Sequence, residues 1–143
     1  MSSPIVRVRR ASAGLGLFAA KPIANKAYIV TYRGKRITTE QAHWREWRWN
    51  AKYMFEINRK WTIDGSSRRN LARYVNHSCR PNAQAILRSG RIVYVALRAI
   101  MPGEEITVDY GEEYFDILIK PHGCRCTACA KKRARARRKR RAA

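Results

Sequence analysis

Two short runs, NHSCRPN at Asn76–Asn82 and GEEITVDYGEEYF at Gly103–Phe115, decide the fold. The first packs an amide, an imidazole, a thiol and a proline-fixed turn into seven positions, a density of polar turn chemistry that a connecting loop does not need. The second reads as a strand over Glu105–Val108 leading to Tyr110. Gly111 follows, where the backbone can bend sharply or approach a ligand closely.

Working outward, IVRVRR at Ile5–Arg10 alternates apolar and basic side chains, as an edge strand with one buried face does. Ala13–Gly16 reads as a turn, Tyr28–Tyr32 as a β-branched and aromatic strand, and Gly34 as a bend. Thr38 and Thr39 with Glu40 give an N-cap signal for one principal helix over Glu40–Trp49. Its Trp44 and Trp47 are expected to pack on a sheet, the alternative being that one lines a substrate groove. Short strands follow at Tyr53–Asn58, Trp61–Asp64, Gln84–Arg88 and Arg91–Leu97, with a hairpin turn at Ser89 and Gly90. Many short strands and one helix predict a mainly β domain of several small sheets.

At 143 residues the chain holds one domain with a modest core. No apolar stretch approaches a membrane span and the N-terminus lacks the apolar block of a secretory signal, so a soluble intracellular protein is expected. In that setting four cysteines suggest metal before disulfide, with free thiols the alternative.

The formal charge is +21, and nine of the 31 Lys and Arg lie between Lys131 and Arg141 without an acid. Without those nine, 22 bases face ten acids, so the body alone carries +12. Such a surface attracts polyanions, nucleic acid first, the alternative being a solubilising, disordered tail with no specific partner. Six of the ten acids, Glu104, Glu105, Asp109, Glu112, Glu113 and Asp116, cluster around Tyr110. They either collect a cationic peptide or pair internally with arginines.

The two quoted runs, with GLG at Gly14–Gly16, TYRGKRI at Thr31–Ile37, YMFEI at Tyr53–Ile57 and NLARYV leading into Asn76, resemble the SET-domain protein lysine methyltransferases over residues 5 to 129. The resemblance implies a SET domain over residues 5–117 with a C-terminal pseudoknot that brings the two runs side by side. It also implies a post-SET zinc-binding segment over 118–130 and leaves a basic, disordered tail over 131–143. The activity implied is methyl transfer from S-adenosylmethionine to lysine of a basic, histone or histone-like protein, in chromatin or a nucleoid. A non-catalytic SET-like module that binds nucleic acid is the rival reading.

Such a transfer is an in-line displacement by a neutral amine. The enzyme must align the reactants, help the ammonium shed its proton from a pKa near about 10.4, and exclude water. By resemblance, Tyr110 stands beside the methyl group and Tyr32 lines the lysine channel, with Lys35 where relatives usually carry glutamate. Phe115 is another channel wall, and Val108 occupies the position where a Phe or Tyr usually limits methyl number. Its small side chain favours more than one methyl group. Gly14, Leu15, Gly16, Tyr53, Asn76 and His77 fall at the cofactor-binding positions, with His77 not assigned as a base. Cys79, Cys124, Cys126 and Cys129 are the implied ligands of one structural zinc, which would couple the C-terminal segment to the channel.

Overall fold

The computed structural model describes residues 3–112, 119 and 123–142. Strands β1 (Val6–Ala11) and β2 (Gly14–Ala19) form a hairpin, β3 (Tyr28–Thr31) edges one three-stranded sheet, and β4 (Lys35–Thr38) leads into helix α1 (Thr39–Trp49). After β5 (Met54–Glu56), β6 (Trp61–Asp64) and a 3-10 turn at Leu71–Tyr74 come β7 (Asn76–His77), β8 (Ala83–Arg88), β9 (Arg91–Ala96), β10 (Thr107–Val108) and helix α2 (Thr127–Ala142). The sheets run β3-β9-β8 and β4-β6-β5, both antiparallel, while β7 and β10 pair in parallel. The expected mainly β architecture of small sheets is therefore present. The β8–β9 turn at Ser89 and Gly90 has φ of 51° and 74°, the left-handed pair that suits a tight hairpin.

Parallel pairing sets Thr107 beside Asn76 and Val108 beside His77, so the two decisive runs lie side by side. The buried Asn82 amide bolts them together, donating to Glu105 O at 2.8 Å and accepting from Thr107 N at 2.9 Å. On its other side the same segment is stitched to β2, with Ile106 N donating to Leu17 O at 2.7 Å. Leu17, Ile100 and Ile106 are fully buried there. Each such side chain stabilises the fold by about 1.5–3 kcal/mol, which holds the crossing strands in place.

Three details differ from the sequence reading. The turn expected at Ala13–Gly16 is shorter: Gly14 and Gly16 already lie in β2, paired with Ala11 and Arg9. Helix α1 starts as expected, with a capping box between Thr38 and Gln41, and ends on Asn50 in the left-handed conformation. However, it buries only Thr39 and Ala42, whose small side chains let it sit close on β6 through a 2.9 Å Thr39–Thr62 hydroxyl contact. Trp44 and Trp47 therefore do not pack on the sheet; they are 51% and 80% exposed, and Trp44 stacks edge-on with Trp49 instead.

A second helix, α2, also occupies most of the segment expected to be a disordered tail, and it begins inside the cysteine segment. Alanine, arginine and lysine are strong helix formers, so propensity builds α2 although it buries no residue. Charge pattern had outweighed propensity in the sequence reading.

Candidate active site

Tyr110 follows β10 by two residues. Its hydroxyl donates to Val75 O at 2.6 Å, its backbone N–H donates to His77 Nδ1 at 3.1 Å, and Gly111 beyond it has φ of 93°. Four cavities share Tyr110 as a wall.

An aromatic cavity of about 330 Å3 contains Tyr32, Phe55, Tyr94 and Val108 beside Tyr110. The rings are set edge to face, with Tyr32–Phe55 centroids 5.1 Å and Tyr32–Tyr94 centroids 6.5 Å apart. The Tyr32 hydroxyl is fixed by a 2.6 Å bond to Tyr53 O. Phe55 and Tyr94 were missed because aromatics on short strands read as ordinary core. Phe115 lies outside the described residues.

A cleft of about 530 Å3 meets it at Tyr53 and brings in Leu15, Asn76 and the bases Lys52, Arg68 and Arg73. Asn76 Nδ2 donates to Leu15 O at 2.9 Å, which ties the first run to the GLG segment. A side chain on Gly16 would put its Cβ 2.9 Å from Ala11 Cβ and 3.2 Å from Asn76 Nδ2, so glycine is required there by packing. Gly14 has φ of 105°, also in the range that favours glycine. Tyr53 holds φ of 66°, a left-handed conformation of the kind that concentrates at functional sites. Arg73 spreads its guanidinium 4.2 Å over the Tyr53 ring and bonds Ser66 O, yet its buried Nε has no partner among the described residues. The sequence carried no pattern that separated these three bases from the other 28 Lys and Arg.

A third, open groove of about 590 Å3 runs from Tyr110 along α1 and β5 and presents Glu46, Glu56, Glu112 and His43. The acidic character expected around Tyr110 is therefore real but differently sourced. Glu104 serves an internal pair: Arg98 at 3.0 Å, then the Met101 N–H, hold its carboxyl below the usual range. Glu105 is pushed up by burial beside Asn76. Asp109 accepts from Gly111 N at 2.9 Å, and Glu113 and Asp116 lie outside the described residues. Glu46 and Glu56, isolated in sequence, are delivered by the fold.

On the opposite side of Tyr110 a smaller cavity of about 220 Å3 joins His77 and Asn76 to Cys124 and Cys126. The four cysteine sulfurs all lie within 4.8 Å of one another, with Cys79 3.6 Å from Cys129 and 4.0 Å from Cys124. Tetrahedral coordination at about 2.3 Å per Zn–S bond separates sulfurs by about 3.8 Å, so this donor set fits one zinc ion. Burial and the surrounding thiols push the Cys79 thiol up to about 12. Arg133, in the second turn of α2, donates to Cys124 O at 2.6 Å and fastens that helix to the cluster.

A model of the SET domain family matches residues 14–111. Histone-lysine N-methyltransferase trr of Drosophila melanogaster is 39% identical over 124 residues, 81% of this chain but 5% of that protein. Human Histone-lysine N-methyltransferase 2D is 36% identical over 127 residues, 82% of this chain and 2% of that protein. Among solved structures, a humanized mutant of the Chaetomium thermophilum Polycomb Repressive Complex 2 bound to the inhibitor GSK343 superposes with a TM-score of 0.69 at 28% identity, covering 77% of this chain and 15% of that one. The chain thus spans a small fraction of these much longer proteins, and the match falls on the segment that holds both decisive runs. With the family model covering more than half its length, the chain belongs to the SET domain family.

Proposed function

We propose that the chain is a protein-lysine N-methyltransferase acting on a basic, histone or histone-like protein. The observation that carries this reading is the shared wall at Tyr110, where an aromatic cavity shaped for an alkylammonium meets a basic cleft shaped for a carboxylate-bearing ligand. Relatives named as histone-lysine methyltransferases support it.

In this reading the lysine stem enters between Tyr32, Phe55 and Tyr94. Removal from water there lowers the amine pKa and favours the neutral nucleophile. Tyr110, held by Val75 O, orients the reacting centre. Lys52, Arg68 and Arg73 line a cleft that would take the donor's carboxylate, with Leu15, Tyr53 and Asn76 around it. S-adenosylmethionine supplies a methyl group already activated by its sulfonium. Glu46, Glu56 and Glu112 attract the flanking bases of the substrate. The four cysteines would hold one structural zinc that seats the C-terminal segment against this centre.

Helix α2, with nine bases and no acid, is suited to hold the protein on nucleic acid near a chromatin or nucleoid substrate. No helix among the described residues is long and apolar enough to cross a membrane. The deciding assay is methyl transfer from labelled S-adenosylmethionine to core histones, with Tyr110→Phe alongside. Loss of the hydroxyl should slow transfer about 10- to 100-fold, the effect of a misplaced reacting centre. Absence of label with the wild type would favour the non-catalytic, nucleic-acid-binding reading.

A further inference from the structure

Acids are spread unevenly over this basic chain. Residues 65–103 hold seven arginines and no Asp or Glu. Elsewhere arginines do find carboxylates, Arg45 with Asp64 at 2.8 Å and Arg98 with Glu104 at 3.0 Å. The β8–β9 hairpin, which lies wholly within the acid-free stretch, has no such pair among the described residues. Its tip sets Arg88 directly opposite Arg91 across the two-residue turn, both exposed. Like charges so placed oppose the strand pairing. A third base closes on the same turn: Nη2 of Arg36, from β4, lies 3.8 Å from where a Cβ on Gly90 would stand. The Arg36 guanidinium is also 5.6 Å from the Trp61 ring centroid, and Lys60 Nζ is 5.3 Å from the same centroid. The electron-rich indole face holds both cations in place. Four cations thus stand on two firm supports, a tight turn and a half-buried ring, with no carboxylate paired to them among the described residues.

We propose that Arg36, Lys60, Arg88 and Arg91 form a docking surface for the phosphate backbone of duplex nucleic acid. The surface uses no residue of α2 and stands independently of the methyltransferase reading. Charge complementarity selects the occupant. A phosphate lodged between Arg88 and Arg91 replaces their repulsion with two charge-assisted contacts, for which the planar guanidinium is well shaped, while Lys60 acts as a point charge beside Arg36. Because the four cations are already held in place, little side-chain freedom is lost when they meet a rigid line of anions. A flexible acidic peptide would have to be ordered against the same array, which favours the duplex over an acidic protein. Contacts of this kind reach the backbone and not the base edges, so the binding they provide is independent of sequence.

The experiment measures binding of the full chain to a short fluorescent DNA duplex of mixed sequence, by anisotropy over a range of salt. Arg36→Gln, Lys60→Gln, Arg88→Gln and Arg91→Gln combined should weaken binding at least about tenfold at low salt and make the slope of log affinity against log salt shallower by about 3 to 4, each lost phosphate contact removing about 0.9. A control chain with Arg7→Gln, Arg10→Gln, Arg69→Gln and Arg80→Gln loses the same charge and should bind close to the wild type. Equal loss in the two variants, or none in the first, overturns the proposal. So does polyglutamate that displaces the protein more readily than unlabelled duplex of equal charge, which would make the occupant an acidic protein. Should the fourfold variant fail to fold, Arg88→Gln with Arg91→Gln answers the same question: it relieves a repulsion, so its thermal midpoint should equal or exceed that of the wild type while its salt slope falls by about 2. An unchanged slope in that folded pair overturns the proposal. Methyl transfer to a free histone peptide should be the same in wild type and variant, so a chain that binds duplex through this surface yet labels no peptide separates the two readings.

Discussion

His77 accepts the backbone N–H of Tyr110 on Nδ1 at 3.1 Å while its Nε2 lies 3.5 Å from Cys79 Sγ. With Nδ1 an acceptor, the neutral ring carries its proton on Nε2, directed toward the sulfur cluster. Burial lowers the His77 pKa, against the opposing pull of Asp109, which suits this neutral form. One imidazole therefore joins the proposed zinc site to the backbone of the tyrosine that lines all four cavities.

That link makes metal removal a test of geometry as well as stability. Chelation, verified by metal analysis, should lower turnover at least about tenfold, because a displacement of about 1 Å at the reacting centre has effects of that size or larger. Leu17, Ile100 and Ile106 belong to a hydrophobic core cluster that does not include the cysteines, so the far-ultraviolet circular dichroism of the sheets should survive. Turnover that stays constant after complete metal removal would break the proposed coupling.

Gly16→Ala should disturb the cleft through a single methyl group. The new Cβ meets Ala11 Cβ at 2.9 Å and both Asn76 Nδ2 and Glu105 Cδ at 3.2 Å, so Ala11 must shift and Asn76 must yield by a few tenths of an ångström where it bonds Leu15 O. Overpacking of this kind costs about 1–3 kcal/mol. Thermal denaturation should show that loss, and calorimetry with S-adenosylmethionine should show weaker binding than in the wild type; equal binding would separate the GLG segment from the cleft.

Gly16 stands in one of the runs that were legible in the chain. Order along the sequence exposed the two decisive runs, most strands, the α1 cap and the cysteine set, because caps, turns and alternation are local signals. It could not expose Glu46, Glu56, Tyr94 or Arg73, which gain their meaning from sheets brought together around Tyr110. The tryptophans of α1 went astray for a related reason: spacing defines a helix face, whereas small Thr39 and Ala42 decide which face can approach β6.

Acid titration gives an independent check on Glu104. Its folded pKa lies below the ordinary 4.5 because of Arg98 and the Met101 N–H, so the pair stabilises the fold above that value. The contribution disappears as pH falls through the lower folded pKa. Glu104→Gln should therefore lower stability near neutrality by a small amount, as befits a partly exposed pair, and should flatten the acid limb of a melting-temperature profile. Parallel profiles for variant and wild type would show that the Arg98 contact contributes nothing in solution.

Helix α2 carries like charges at Lys131 and Arg135, Arg133 and Arg137, Arg135 and Lys139, and Arg137 and Arg141, all four residues apart. Each such pair opposes the helix by about 0.2–0.5 kcal/mol, and no buried face offsets the repulsion. Phosphates between the side chains would remove it, so adding duplex DNA should raise helical circular dichroism. Removing residues 131–143 should abolish that rise and weaken DNA binding at least tenfold at low salt, since each phosphate contact adds about 0.9 to the slope of log affinity against log salt. The truncated chain should show a correspondingly shallower slope. A slope unaffected by truncation would move the nucleic-acid contact from α2 to the basic body of the domain, whose charge of +12 persists without the tail.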